Sequence, residues 1–310
     1  MIHTYQLALP HGITLSCRAT GEPGRPVLLF LHGFPEGAFV WNVLLEHFAK
    51  PQNGGYRCIA PNLRGFEQSS APADVKAYRP KFLVQDIAAL INIETAQNGG
   101  QLAALIAHDW GGAVAWNLVN QLPHLTQKLV IINSPHPGTF LRELQSSAKQ
   151  QAASEYMNFL ITPEAEKLLA QDDYKRLWQF LIKTSTGARG VSDAPEAMPS
   201  WLTEPVKNQY REVWNAGLTG GCNLYRASPL RPPTAGDRAA ASVQLPHSML
   251  TISVPTLVIW GLDDAALPPE LIDGLDDYIA DLRLIKVPNT SHWIVHEDPG
   301  LVIRTIAQFL

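Results

Sequence analysis

One stretch limits the possible folds more than any other: Leu102 to Gly112, LAALIAHDWGG, in which an apolar run stops at His108, Asp109 and Trp110 and two glycines follow. The run reads as a buried strand. Val114, Leu118 and Leu122 then recur at helical spacing, so the turn between them opens a helix and puts Asp109 at its apex. A strand-turn-helix apex crowds its own flanks. Ala107 and Gly111, two residues to either side, are small enough to let the backbone pass close to itself.

The chemistry of an aspartate in that place narrows the substrates. A carboxylate is ionised at neutral pH without help from a base, so it is a ready but weak nucleophile. Attack on an ester or amide carbonyl would give a high-energy anhydride, whereas attack on a saturated carbon with a strained or good leaving group gives a stable alkyl ester. Epoxides and alkyl halides are the electrophiles that fit. Water must then break the ester at its carbonyl, which calls for a base and an oxyanion hole.

In chain order, Thr4 to Leu9 and Ile13 to Ala19 read as a hairpin-like start around Pro10, His11 and Gly12. Val27 to Leu31 is a continuous apolar strand running into His32-Gly33-Phe34-Pro35-Glu36, and Phe39 to Ala49 reads as a helix. Cys58 to Ala60 is a short strand. Pro80 starts a helix with Leu83, Ile87, Leu90 and Ile91 on one face. After the central unit come strands at Lys128 to Ile132, Pro255 to Gly261 and Leu282 to Val287, and Asp298-Pro299 starts a last helix with Val302, Ile306 and Phe309 inward. Strands alternating with helices imply an α/β fold, a mostly parallel sheet covered on both faces. The segment 135–254 breaks the alternation: rich in Trp, Tyr, Gln and Pro, with helical patches at Glu155 to Leu169 and Tyr174 to Ile182, it reads as an inserted helical cap, leaving 1–134 and 255–310 as the core.

The elbow resembles the nucleophile elbow of the α/β-hydrolase superfamily, with Ala107 in place of the first glycine and Asp109 in place of serine. In that superfamily an acid and a histidine follow the nucleophile in chain order. Gly261-Leu262-Asp263-Asp264 and Pro288-Asn289-Thr290-Ser291-His292-Trp293 each follow a core strand. The usual spacing from the glycine favours Asp264 as the acid over its neighbour Asp263, and His292 is the histidine. Loops beyond the carboxyl ends of parallel strands converge on one crevice. Asn133, where some relatives carry the acid, cannot serve as one.

His32-Gly33-Phe34-Pro35 resembles the HGxP signature of epoxide hydrolases, in which the peptide before proline is cis, and the whole chain is similar to that family, with haloalkane dehalogenases as cousins. The resemblance implies an oxyanion hole from the backbone N–H groups of Trp110 and Phe34, with His32, Gly33, Pro35 and His108 as loop and pocket residues. It also implies two tyrosines that donate to the epoxide oxygen, because an alkoxide leaves poorly near neutral pH. Tyr156 and Tyr225 match by position, with Tyr174 and Tyr210 as rivals. Asn62, where many relatives have aspartate, and Glu67-Gln68, in place of a commoner glycine, depart from the pattern.

The expected function is hydrolysis of an epoxide to a vicinal diol through an aspartyl ester, with an epoxide and water as partners and no cofactor or metal. A haloalkane or haloacid dehalogenase using the same triad is the enzymatic alternative: Trp110 offers half of a halide cradle, Phe34 replaces the usual second donor, and Trp178, Trp201 or Trp214 is left to supply it. A non-catalytic receptor on the same fold is the other alternative. A net charge of −4 with no basic patch argues against nucleic acid. No apolar run approaches a membrane span, and no secretory signal is apparent, so a cytoplasmic location is expected. Cys17, Cys58 and Cys222, odd in number and scattered, are expected as buried thiols.

Overall fold

The computed structural model describes residues 1–185, 198–234 and 236–310. Its strands are β1 (His3–Ala8), β2 (Thr14–Thr20), β3 (Val27–Leu31), β4 (Arg57–Pro61), β5 (Ala104–His108), β6 (Leu129–Ile132), β7 (Thr256–Gly261) and β8 (Leu282–Val287), in one sheet of order β1-β2-β4-β3-β5-β6-β7-β8. β1 and β2 pair antiparallel, β2 runs antiparallel to β4, and all later neighbours are parallel. β3, β5, β6 and β7 are buried at every position, as continuous apolar runs covered on both faces must be.

The chain goes outward from β3 to β4 and then returns to the other side of β3 as β5, so the order of strands reverses between β3 and β5. Loops at such a reversal leave a crevice between them. Leu31 pairs with Ala107, which sets residues 32–36 beside the elbow, and His108 pairs with Ile132, which sets Asn133 on the elbow's other side. Pairing of Gly261 with Val287 brings the loops after β7 and β8 together at the same edge.

The core helices are α1 (Asn42–Phe48), preceded by a 3₁₀ turn at Ala38–Trp41, α2 (Pro80–Glu94) and α3 (Trp110–Gln121). α3 starts on small residues for a steric reason: a Cβ on Gly111 would lie 2.3 Å from the Leu31 carbonyl oxygen. Between β6 and β7, six helices occur among the described residues: α4 (Pro137–Ser146), α5 (Ala148–Ala153), α6 (Tyr156–Leu160), α7 (Ala165–Lys183), α8 (Glu204–Asn215) and α9 (Thr219–Ala227). α10 (Ile294–Glu297) and α11 (Pro299–Ala307) follow β8, and the Asp298 carboxylate accepts the Leu301 N–H at 2.8 Å as the expected N-cap of α11.

The sequence reading of this helical segment needs revision. The patch expected over Glu155 to Leu169 is two helices, with Pro163 in the connection between them. The patch starting at Tyr174 belongs to α7, which is interrupted by left-handed backbone at Asp172, Asp173 and Tyr174. α4, α8 and α9 are additional. Phe309 lies beyond the end of α11, where the Lys128 ammonium sits over its ring. The thiols of Cys17, Cys58 and Cys222 are buried and free, and no helix among the described residues is long and apolar enough to cross a membrane.

Candidate active site

Asp109 adopts φ 50° and ψ −123° between β5 and α3, backbone that a non-glycine residue occupies only when its surroundings impose it. The reward is position, because its side chain stands clear of both elements and faces the loop after β3. The Phe34 N–H donates to Asp109 Oδ1 at 2.8 Å. Gly33 makes that approach possible, since a Cβ there would sit 2.1 Å from the same oxygen. The Phe34–Pro35 peptide is cis. Trp110, expected to give the second N–H, is the first residue of α3, where backbone donors have no partner within the helix.

The other oxygen, Asp109 Oδ2, faces His292 Nε2 at 3.7 Å, and His292 Nδ1 is 2.7 Å from Asp264 Oδ2. Asp264 is held on every side. Its Oδ1 accepts the N–H groups of Ala266 (2.9 Å) and Leu267 (2.8 Å), and its Oδ2 also accepts Asn133 Nδ2–H at 2.8 Å. Burial alone would make the His292 imidazole less basic, but the charge and hydrogen bond of Asp264, followed by the charge of Asp109, outweigh it and raise its pKa to about 9. Of the two adjacent acids it is therefore Asp264, not Asp263, that meets the histidine.

Tyr156 of α6 and Tyr225 of α9 line the same cavity as Asp109, with ring centroids 6.0 Å apart and nearly perpendicular planes. Phe34 and Trp110 pack edge-on against Tyr225 at 5.5 and 5.0 Å, fixing its ring. Burial first, and the Asp109 carboxylate after it, push the Tyr156 phenol above its ordinary pKa; burial, Tyr156 and Asp109 do the same to Tyr225. Both phenols thus stay donors. The rivals lie elsewhere: Tyr174 donates to Asn215 Oδ1 at 2.6 Å and Tyr210 to Glu36 Oε1 at 2.8 Å. Of the candidate halide donors, Trp178 Nε1 is engaged on the Asp173 carbonyl and Trp214 Nε1 on the Pro35 carbonyl, each at 2.7 Å, while Trp201 stacks on His296 with its buried indole N–H unpartnered among the described residues, and none of the three lines the cavity.

His32 is a fastener. Its ring lies between the Gly33 carbonyl (2.8 Å) and the Leu63 N–H (3.0 Å), and burial lowers its pKa to about 4. His108 holds the His292 carbonyl through Nε2 at 3.0 Å, and its Nδ1 is 3.1 Å from Glu36 Oε2. Glu36 and Asn133 are the residues that the sequence reading missed as part of this assembly. Glu36 is 1% exposed and also meets His296 Nε2 at 2.8 Å. Burial would raise its pKa, but the hydrogen bonds from His108 and His296 hold it below the usual carboxylate range. Asn62 and Glu67, the two departures from the family pattern, hydrogen-bond to each other.

The chain matches the family model described as alpha/beta hydrolase fold over residues 26–299. It is 33% identical over 308 residues to the AB hydrolase superfamily protein YfhM of Bacillus subtilis, covering 98% of this chain and 97% of that one. To epoxide hydrolase 4 of Mus musculus it is 30% identical over 312 residues, covering 99% and 79%. Among solved structures, the epoxide hydrolase of Bacillus megaterium in complex with an inhibitor superposes with a TM-score of 0.83 at 27% identity, over 98% of this chain and 99% of that one. A structure described under novel epoxide hydrolases in metagenomes from hot environments gives 0.82 at 34% identity, over 100% and 98%.

Proposed function

The chain belongs to the epoxide hydrolases of the α/β-hydrolase superfamily, and from that premise we propose that it converts an epoxide to a vicinal diol through an ester on Asp109. The observation that carries this reading is the placement of one carboxylate and two phenols in the lining of one cavity, which none of the candidate halide donors Trp178, Trp201 and Trp214 lines. Asp109 Oδ2 attacks the epoxide carbon as the carbon–oxygen bond breaks, and the opened oxygen accepts hydrogen bonds from Tyr156 and Tyr225. Ester formation abolishes the Asp109 charge and with it one cause of His292's high basicity. The proton that the opened oxygen takes up is balanced by the one His292 sheds.

Neutral His292, oriented by Asp264, then takes a proton from water, and the hydroxide adds to the Asp109 carbonyl carbon. Charge builds on Oδ1, where the Phe34 N–H already points and Trp110 N–H is the second donor. Collapse breaks the bond to Oδ2, His292 gives its proton to the departing diol oxygen, and the second proton of the water restores the imidazolium as the carboxylate reforms. Residues 135–254 act in this scheme as a cap that supplies the phenols to a core formed by 1–134 and 255–310. The test is a single turnover in heavy-oxygen water. The diol's new oxygen should come from Asp109 and be unlabelled, whereas diol labelled fully in the first turnover would show direct attack by water and overturn the scheme.

A further inference from the structure

Ser134, in the loop after β6, is 1% exposed and takes part in no step of the scheme above. Its hydroxyl donates to the backbone carbonyl of Asp109 at 2.6 Å. α3 is shaped to receive it. A Cβ on Gly112 would lie 2.3 Å from both Cβ and Oγ of Ser134, so glycine leaves the room that the serine fills, and the Trp116 indole N–H donates to the Ser134 carbonyl at 3.3 Å. The Asp109 carbonyl also accepts the Ala113 N–H at 3.1 Å, in the first turn of α3. Two donors therefore fix the plane of the Asp109–Trp110 peptide. In a trans peptide the carbonyl and the N–H point in opposite directions, so holding one aims the other. β6 and β3 flank β5 on opposite sides. Ser134 draws the carbonyl toward the β6 side, which turns the Trp110 N–H toward the β3 side, where the Phe34 N–H meets Asp109 Oδ1.

The geometry points to Ser134 as a positioning residue of the oxyanion hole: its hydroxyl holds the Asp109–Trp110 peptide at the angle that aims the Trp110 N–H at the oxyanion of the Asp109 ester. This assignment rests on the ester reading above. Accepting a hydrogen bond at its oxygen also polarises the amide and strengthens its N–H as a donor. The Asp109 backbone, at φ 50° and ψ −123°, lies in a sparsely populated region, so its strain favours rotation of this peptide once the hydroxyl is gone. Negative charge develops on Oδ1 when hydroxide adds to the ester carbonyl, whereas alkylation removes charge from Asp109. Ser134 therefore serves ester hydrolysis and not alkylation.

The test follows both chemical steps in Ser134→Ala by rapid quench with styrene oxide. Ester hydrolysis is expected to slow by about 10- to 100-fold, less than the roughly 10²- to 10³-fold that outright loss of a donor costs, because the Trp110 N–H is misaimed and not removed. Alkylation should keep its rate, so ester accumulates, and the pH dependence of hydrolysis should stay where His292 sets it. Ser134→Thr, which retains the hydroxyl, should hydrolyse ester at close to the wild-type rate. Asp109–Trp110 is the only Asp-Trp pair in the chain, so isotope labels on aspartate carbonyls and tryptophan backbone nitrogens give it a single NMR signal. Ser134→Ala should shift that signal in the carbonyl dimension far more than Ser134→Thr does. Alkylation slowed as much as hydrolysis, hydrolysis unchanged in Ser134→Ala, an equal loss in Ser134→Thr, or an unmoved carbonyl signal would overturn the assignment while leaving the ester on Asp109 intact. Diol that takes its new oxygen from water in the first turnover of the unaltered protein would overturn the ester reading and this assignment with it.

Discussion

Replacing Asp264 by Asn removes one charge from a carboxylate that accepts four hydrogen bonds. With the amide oxygen kept on the Ala266 and Leu267 N–H groups, the new NH₂ confronts Asn133 Nδ2–H and turns His292 Nδ1 into an acceptor. The proton then sits on Nε2, where the lone pair that takes water's proton is needed. With the amide turned over, it confronts two backbone donors instead. Either orientation leaves donors unpaired, at about 1–3 kcal/mol each. The wild-type His292 pKa of about 9 against the ordinary 6.5 stands for roughly 3 kcal/mol of pH-linked stability. Because the folded value is the raised one, this stability is fully present below pH 6.5 and lost as pH rises through about 9. Denaturant unfolding of both proteins between pH 6 and 10 should therefore show the variant's deficit shrinking as pH rises. In catalysis, ester formation should slow but continue, since Asp109 needs no base although His292 no longer holds the balancing proton, while ester hydrolysis should slow by more, on the order of 10³ to 10⁴. Intact-protein mass spectrometry should then find the alkylated enzyme. A deficit independent of pH, or a variant that turns over without accumulating ester, would refute the assigned linkage between Asp264 and His292.

Tyr156→Phe and Tyr225→Phe should each slow alkylation by roughly 10- to 100-fold and the double variant by far more, while hydrolysis of preformed ester barely changes; rapid-quench kinetics separates the two steps. The alkylation rate should fall as pH rises through about 9, where His292 loses the proton that balances ring opening, and stopped-flow tryptophan fluorescence across that range would follow it. Gly33→Ala places a methyl group 2.1 Å from Asp109 Oδ1, so the folded protein should lose the Phe34 hydrogen bond and both chemical steps by at least 10²-fold, with circular dichroism unchanged.

The elbow was legible because its signals are local: an apolar run, an apex acid and small flanking residues all fall within eleven positions of one another. Family pattern added Asp264, Tyr156 and Tyr225, and the structure gathers them around Asp109 and His292. Asn133 and Glu36 escaped for the opposite reason. Asn133 meets Asp264 across 131 residues and Glu36 meets His108 across 72, and no periodicity reports such pairs. The helices between β6 and β7 were blurred because α4, α8 and α9 are largely polar and short. The break in α7 falls on Asp172, Asp173 and Tyr174, a stretch with neither glycine nor proline to announce it.

α8 grips the loop that carries Phe34 at two points, through Trp214 Nε1 on the Pro35 carbonyl and Tyr210 on Glu36. Lifting this helix to admit a molecule would break both bonds and drag on the very peptide that fixes the nucleophile's orientation. The cavity that holds Asp109 is lined instead by residues of α3, α6 and α9, and no residue of α8 is among them. Substitutions at the cavity's α3 residues Ala113, Asn117 and Gln121 should therefore tune which molecules it accepts while both tethers of the Phe34 loop stay in place.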